Sequence, residues 1–216
     1  MLPQTPNINC TLCKRLCAFR TQNKLNYPNY HNAPVASFGD LNAEILIVGL
    51  APGLHGANQT GRPFTNDYAG DILYPALKEN GLAQGLYQKR KDDGYSLINT
   101  RITNAVRCVP PQNKPTSDEE KNCRQFLSAE ISAMPNLKII LCLGTVSHKN
   151  VLQALGLKQS FAKFTHGAVY NLPSKNLKLI DSYHTSRYNI NTGTLTFAMF
   201  DDIIKKLKGL LVKCPS

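Results

Sequence analysis

Four side chains of complementary chemistry, Phe64, Asp67, Asn104 and His184, stand beside glycines or short polar turns in this chain. A carboxylate can orient or deprotonate water, and an amide can both donate to and accept from the edge of a flat heterocycle. An aromatic ring can stack on the face of such a ring, and an imidazole can stabilise charge growing on a carbonyl oxygen. Each residue also has an ordinary alternative. An asparagine near a strand end commonly serves a turn, and a lone histidine or phenylalanine is more often structural. Asp67 has two such alternatives, a helix cap or a pair with Arg62. Only convergence of the four in space would make them a site.

The cysteines form a second chemical set. Cys10-Thr11-Leu12-Cys13 is a C-x-x-C pair, while Cys108 and Cys123 stand far downstream. Four thiolates so arranged can hold zinc or a [4Fe–4S] cluster, and spacing does not choose between them. Cys13-x-x-x-Cys17 could also ligate. Cys142, inside Ile139-Ile140-Leu141-Cys142-Leu143, is read as core, and Cys214 lies in the tail. Seven cysteines behind an amino terminus with no apolar signal stretch argue for thiols used as ligands rather than for a disulfide framework.

The elements that must position these groups follow from the apolar pattern. Buried strands are expected over Glu44–Val48, Leu97–Val106, Leu137–Leu143 and Leu177–Ile180. Helices are expected over Asp71–Glu79, over Cys123–Ile131 behind a Ser117-x-x-Glu120 capping box, over Lys149–Leu155, and over Phe197–Leu211. Pro110 to Pro115 reads as a stiff extended connection that cannot be helical. Strands separated by helices imply one three-layer α/β/α domain spanning residues 1–216, with a central, mainly parallel four-stranded sheet. In such a sheet the carboxyl ends of the strands share one rim, where ligands bind. The loop Gly49-Leu50-Ala51-Pro52-Gly53-Leu54-His55-Gly56 leaves the first strand at that rim, and Asn104 and His184 end two others.

Gly56 and Gly61 have the spacing of a phosphate-binding loop, yet Arg62 and Pro63 stand where lysine and a hydroxyl residue are needed, so nucleotide hydrolysis is excluded. The chain of 216 residues carries 25 Lys and Arg against 14 Asp and Glu, a formal charge of +11 that favours anionic partners, nucleic acid first. The basic residues are scattered, so a generally basic surface accounts for the charge equally well. No stretch reaches the roughly 18 apolar residues of a membrane span. A cytoplasmic protein with no membrane partner is expected.

The stretches Gly49 to Asn58, Thr60-Gly61-Arg62-Pro63-Phe64-Thr65, Asn104-Ala105-Val106-Arg107-Cys108, and His184-Thr185-Ser186-Arg187 with Asn191-Thr192-Gly193 together resemble the uracil-DNA glycosylase superfamily. The likeness is greatest to its family 5, the broad-specificity iron–sulfur enzymes of bacteria and archaea, and runs from Cys10 to the last helix. It implies hydrolysis of the N-glycosidic bond of uracil, hypoxanthine or another damaged base flipped out of DNA, the opening step of base excision repair. Asp67 and His184 would be catalytic, Phe64 and Asn104 would hold the base, and backbone N–H groups near Gly49 and Gly53 would bind its carbonyl. Cys10, Cys13, Cys108 and Cys123 would hold a [4Fe–4S] cluster of structural purpose, in preference to zinc. Only this resemblance, which matches Cys10 with Cys13, makes Cys17 a buried or spare thiol. Arg187 and Tyr188 would enter the DNA groove. A monomer acting on DNA, in the bacterial or archaeal cytoplasm with the nucleoid, is implied.

Two departures from the resemblance matter. Uracil-specialised relatives carry an acid and a tyrosine where Ala51 and Gly53 stand here, so Asp67 must supply the carboxylate, and the small Gly53 leaves room for larger bases. Thr185 replaces the usual proline, which predicts a less rigid loop. Two rivals remain: a metal-stapled nucleic-acid-binding module without catalysis, and a redox protein built around the cluster. Neither needs the Phe64, Asp67, Asn104 and His184 set.

Overall fold

The computed structural model describes residues 2–173 and 176–212. Its main sheet has six strands in the order β1-β5-β2-β6-β8-β7, not four. The four central strands, β2 (Ile45–Gly49), β5 (Thr100–Asn104), β6 (Ile139–Leu143) and β8 (Lys178–Ser182), run parallel. The two extra strands are the edges β1 (Phe38–Gly39) and β7 (Val169–Asn171), both antiparallel to their neighbours. They are two and three residues long and only partly buried, so they lack the apolar run that marks a central strand. The expected strand over Leu97–Val106 is broken at Asn99, whose φ is +50°. Its first part, β4 (Ser96–Leu97), pairs instead with β3 (Ala83–Gln84) in a separate hairpin.

Alternation along the central strands sends side chains to opposite faces. Ile45, Ile47, Ile102, Ile139, Leu141 and Ile180 pack with α3 (Tyr68–Glu79) and α7 (Phe197–Val212). Leu46, Val48, Ile140, Cys142 and Leu179 pack with α4 (Ser117–Ala133) and α5 (Thr145–Ala154). Three layers result, and Cys142 is wholly buried core. The cap of α4 lies one residue earlier than the spacing suggested. Thr116 accepts from the Glu119 N–H at 3.3 Å while Glu119 accepts from the Thr116 N–H at 2.8 Å. Two overlapping S/T-x-x-E patterns were available, and the extended backbone at Thr116 selects the first.

Three helices add to those expected: α1 (Lys14–Asn26), α2 (Ala57–Thr60) and α6 (Arg187–Asn191). The proline-rich connection contains one tight turn, Pro111–Asn113, in which Gln112 takes a left-handed φ of +55° rather than a helical one. A third small cluster, Leu16, Val106, Cys123 and Phe126 with Cys13, Ala51 and Cys108 against it, joins α1 to the carboxyl rim of the sheet. Cys214 lies outside the described residues.

Candidate active site

A cleft of about 340 Å³ opens at the carboxyl ends of β2 and β5, within the range of ligand pockets. Gly53, Phe64, Asp67, Asn104, His184 and Arg187 all line it. The register of the sheet explains part of this gathering, because Gly49 at the end of β2 pairs with Asn104 at the end of β5. A Cβ on Gly49 would sit 2.4 Å from both Asn104 Oδ1 and Phe64 Cζ. Gly49 therefore lies behind the cleft wall, and its lack of a side chain lets the amide and the ring approach each other. Phe64 itself is buried with φ at +57°, a costly conformation for an aromatic residue and one that persists only where surroundings enforce it.

Asp67 stands at the N-terminus of α3 yet makes no side-chain cap. Nor does it pair with Arg62, which forms a two-pronged ion pair with Asp93 at 2.8 Å on each prong. Both ordinary readings of this carboxylate thus fail. Instead its Oδ2 accepts from the Ala57 N–H at 3.2 Å. A Cβ on Gly53 would meet Asp67 Oδ1 at 2.3 Å, and one on Gly56 would meet it at 1.8 Å. The space at Gly53 expected to admit larger bases is taken by the carboxylate. Although the residue is only half-buried by accessible surface, its close surroundings push the carboxyl up from 3.8 to about 6 by burial, against hydrogen bonds from the backbone at Ala57 and Gly53. It is ionised at neutral pH and titrates just below it.

Asn104 is 3% exposed, and among the described residues its side-chain amide has no hydrogen-bond partner in the protein. The imidazole of His184 is likewise unpartnered among the described residues, and its ring lies 6.3 Å from that of Phe64 at an interplanar angle of 28°. Burial pushes His184 down to about 4, so it is neutral at physiological pH. A neutral imidazole can still donate one hydrogen bond. The cleft thus presents an ionised carboxylate, a free amide and a neutral ring donor around a common space.

Hydrogen bonds tie the loop that carries His184 to its neighbours where the proline is missing. Thr185 is fully buried, and its hydroxyl donates to the Ala69 carbonyl of α3 at 3.2 Å. Asn189 Nδ2 donates to the His184 carbonyl at 2.8 Å, and Ser186 caps α6 through the Asn189 N–H. Arg187 lies at the rim with its guanidinium 5.1 Å from the Tyr68 ring. Tyr188 does not line the cleft and is 74% exposed. Tyr68, Asn113 and Ser186 also line it. Sequence reasoning missed them: Asn113 reaches the cleft through a left-handed turn that no spacing announces.

Cys10, Cys13, Cys17, Cys108 and Cys123 ring a small, almost wholly apolar cavity on the other side of Ala51. Among the described residues no three His, Cys, Asp or Glu side chains gather tightly enough to hold a single metal ion. The thiols surround a volume rather than a point. Burial pushes Cys108 up to about 12, Cys123 up to about 11, and Cys13 upward as well. Donors nevertheless face the sulfurs: Arg20 to Cys108 at 3.6 Å, the Arg107 N–H to Cys123 at 3.3 Å, and Asn122 to Cys13 at 3.7 Å. N–H groups aimed at sulfur suit thiolates held by a metal group. Cys17 differs, since its own thiol donates to the Cys10 carbonyl at 3.1 Å.

Residues 36–208 match the family model of the Uracil DNA glycosylase superfamily. The chain is 41% identical over 206 residues to the Type-5 uracil-DNA glycosylase of Thermus thermophilus, with 93% of each chain covered. It is 38% identical over 203 residues to the Type-5 uracil-DNA glycosylase of Pyrobaculum aerophilum, covering 92% of this chain and 88% of that one. Similarity to the Type-4 uracil-DNA glycosylase of Archaeoglobus fulgidus is lower, 32% over 154 residues and 69% of each chain.

Proposed function

The chain belongs to the uracil DNA glycosylase superfamily, and from that premise we propose that it hydrolyses the N-glycosidic bond of uracil, and of other deaminated bases such as hypoxanthine, in DNA. The observation that carries this reading is the convergence of Asp67, Asn104 and His184, two of them without partners, on one cleft. A base inside the duplex stack is out of reach, so the nucleotide must rotate into the cleft, most readily from a mispair. The formal charge of +11 and the exposed Arg187 at the rim favour the phosphate backbone.

Once seated, the base edge meets Asn104. Deamination converts an amino donor beside a ring acceptor into a carbonyl acceptor beside an N–H donor, and a side-chain amide offers the complementary pair. Uracil and hypoxanthine share that edge. The Phe64 ring offers an apolar wall. His184, neutral, donates to the base carbonyl as negative charge develops there, and backbone N–H groups of the Gly49–Gly53 loop add to this stabilisation. Asp67 orients the attacking water, accepts its proton and offsets positive charge on the sugar. Among the described residues lining the cleft none is lysine, so no Schiff-base route to strand cleavage is built in and the product is an intact abasic site.

Cys10, Cys13, Cys108 and Cys123 hold a [4Fe–4S] cluster in this reading, supported by the cavity they ring and the N–H groups aimed at their sulfurs. The cluster supplies a staple that ties α1 to the rim loops, and hydrolysis needs no electron from it. Acting on chromosomal DNA, the enzyme belongs in the bacterial or archaeal cytoplasm. No described helix is long and apolar enough to cross a membrane. The reading is tested by incubating the protein with duplexes bearing one uracil, hypoxanthine, xanthine or etheno base and assaying for abasic sites. Release of none of them would leave a non-catalytic binding module as the better account.

A further inference from the structure

Arg20 is 8% exposed, yet among the described residues no carboxylate pairs with it. Its guanidinium donates to Cys108 Sγ at 3.6 Å, to Cys17 Sγ at 3.8 Å and to the Cys10 carbonyl at 2.8 Å. The other buried arginines do pair with carboxylates: Arg62 with Asp93, and Arg107 with Glu130 at 2.9 Å, a carboxylate it shares with Arg101. A buried cation without a counter-charge is expensive, and a guanidinium does not escape by losing its proton. Among the described residues the ionisable groups it touches are cysteines, so the negative charge that stabilises it must come from them.

We propose that Arg20 is the internal counter-cation of the cysteine-held cluster. The inference rests on the cluster assignment made above and goes beyond it. A [4Fe–4S] group in its resting state with four cysteinates is a net dianion, and one guanidinium in contact offsets half of that charge. The contact also explains the position of Cys17. With its thiol proton committed to the Cys10 carbonyl and its sulfur accepting from Arg20, Cys17 holds the arginine and the Cys10 backbone in place and stays outside the ligand set. Arg20 is a positioning and charge-balancing residue and touches no DNA.

The test uses the full chain purified without oxygen, wild type beside Arg20→Met and Arg20→Lys. Iron and acid-labile sulfide are quantified, circular dichroism checks the fold, and the visible absorbance is followed during reductive titration and during bleaching by an iron chelator. Losing one charge-assisted contact should make Arg20→Met bleach about tenfold faster and move its reduction potential to more negative values. Arg20→Lys, which keeps the charge, should stay close to wild type in potential. A folded Arg20→Met protein that cannot retain iron supports the proposal when Arg20→Lys does retain it. Equal bleaching and potential in Arg20→Met and wild type would overturn it, as would an Arg20→Lys protein as impaired as Arg20→Met. Wild-type protein without iron and sulfide would instead remove the cluster assignment itself, and the inference with it.

Discussion

The carboxylate of Asp67 occupies the volume that a side chain at Gly53 would fill, with Oδ1 2.3 Å from the position of a Cβ there. Two residues fourteen positions apart are thereby bound into one choice. An acid delivered from the start of α3 requires a glycine in the loop after β2, and any side chain at Gly53 must displace the acid or itself be displaced.

Gly53→Ala should consequently lower base release by about a hundredfold, the cost of moving a reacting group by roughly an ångström. DNA affinity should change little, since Gly53 lines the cleft and carries no charge or side-chain donor for a phosphate. Single-turnover kinetics beside a gel-shift titration measure the two effects. A Gly53→Ala enzyme of undiminished rate would show that Asp67 tolerates displacement and does not need its observed position.

The pH profile follows from two shifts of opposite sign. Asp67 is raised to about 6 and must be ionised to accept a proton, so base release should climb between about pH 5 and pH 7 and then level off. His184 is lowered to about 4 and stays neutral across that window, adding no second limb. Single-turnover rates across the range would reveal one ascending limb. A descending limb beginning near neutrality would instead point to a protonated group acting as the acid.

The raised carboxyl has a stability consequence. A folded-state value above the unfolded one means that the folded protein holds the proton more tightly, so stability falls as pH rises from about 4 to about 6. Asp67→Asn removes that cost and should stabilise the fold at neutral pH by on the order of 1–2 kcal/mol after allowance for partial exposure, with little effect near pH 4. Calorimetry at the two pH values checks this. A variant less stable than wild type at neutral pH would mean that the ionised carboxylate is well solvated in its pocket.

Thr185→Val deletes the hydroxyl bond to Ala69 while keeping the shape of the side chain, and so loosens the tie between the His184 loop and the helix that begins after Asp67. Base release should drop about tenfold at unchanged DNA affinity, and Thr185→Ser should restore most of it. Equal rates for valine and threonine would assign Thr185 to packing alone.

The central sheet was legible because β2 and β6 are buried on both faces and read as unbroken apolar runs. The edge strands β1 and β7 were not, being too short and too exposed to imprint a pattern. Helix α1 escaped for a different reason: its sequence has scarcely any apolar face, and it is held by Leu16 and Arg20 packing into the cysteine cluster. Within the site, Phe64, Asp67, Asn104 and His184 could be named from residue type, rim position and resemblance. Their mutual geometry could not. The exclusion between Gly53 and Asp67, the left-handed turn that delivers Asn113 and the clasp of Thr185 on Ala69 all depend on contacts between segments distant in the chain.

The central claim is that Asp67 activates the water that releases a flipped base, and it is tested most directly by abasic-site formation from a uracil-containing duplex under single-turnover conditions, wild type beside Asp67→Asn. Wild type should convert the duplex completely, and Asp67→Asn should be slower by about a thousandfold or more while binding the same DNA with nearly unchanged affinity. Conversion by Asp67→Asn at the wild-type rate would contradict the account and return the carboxylate to a structural role.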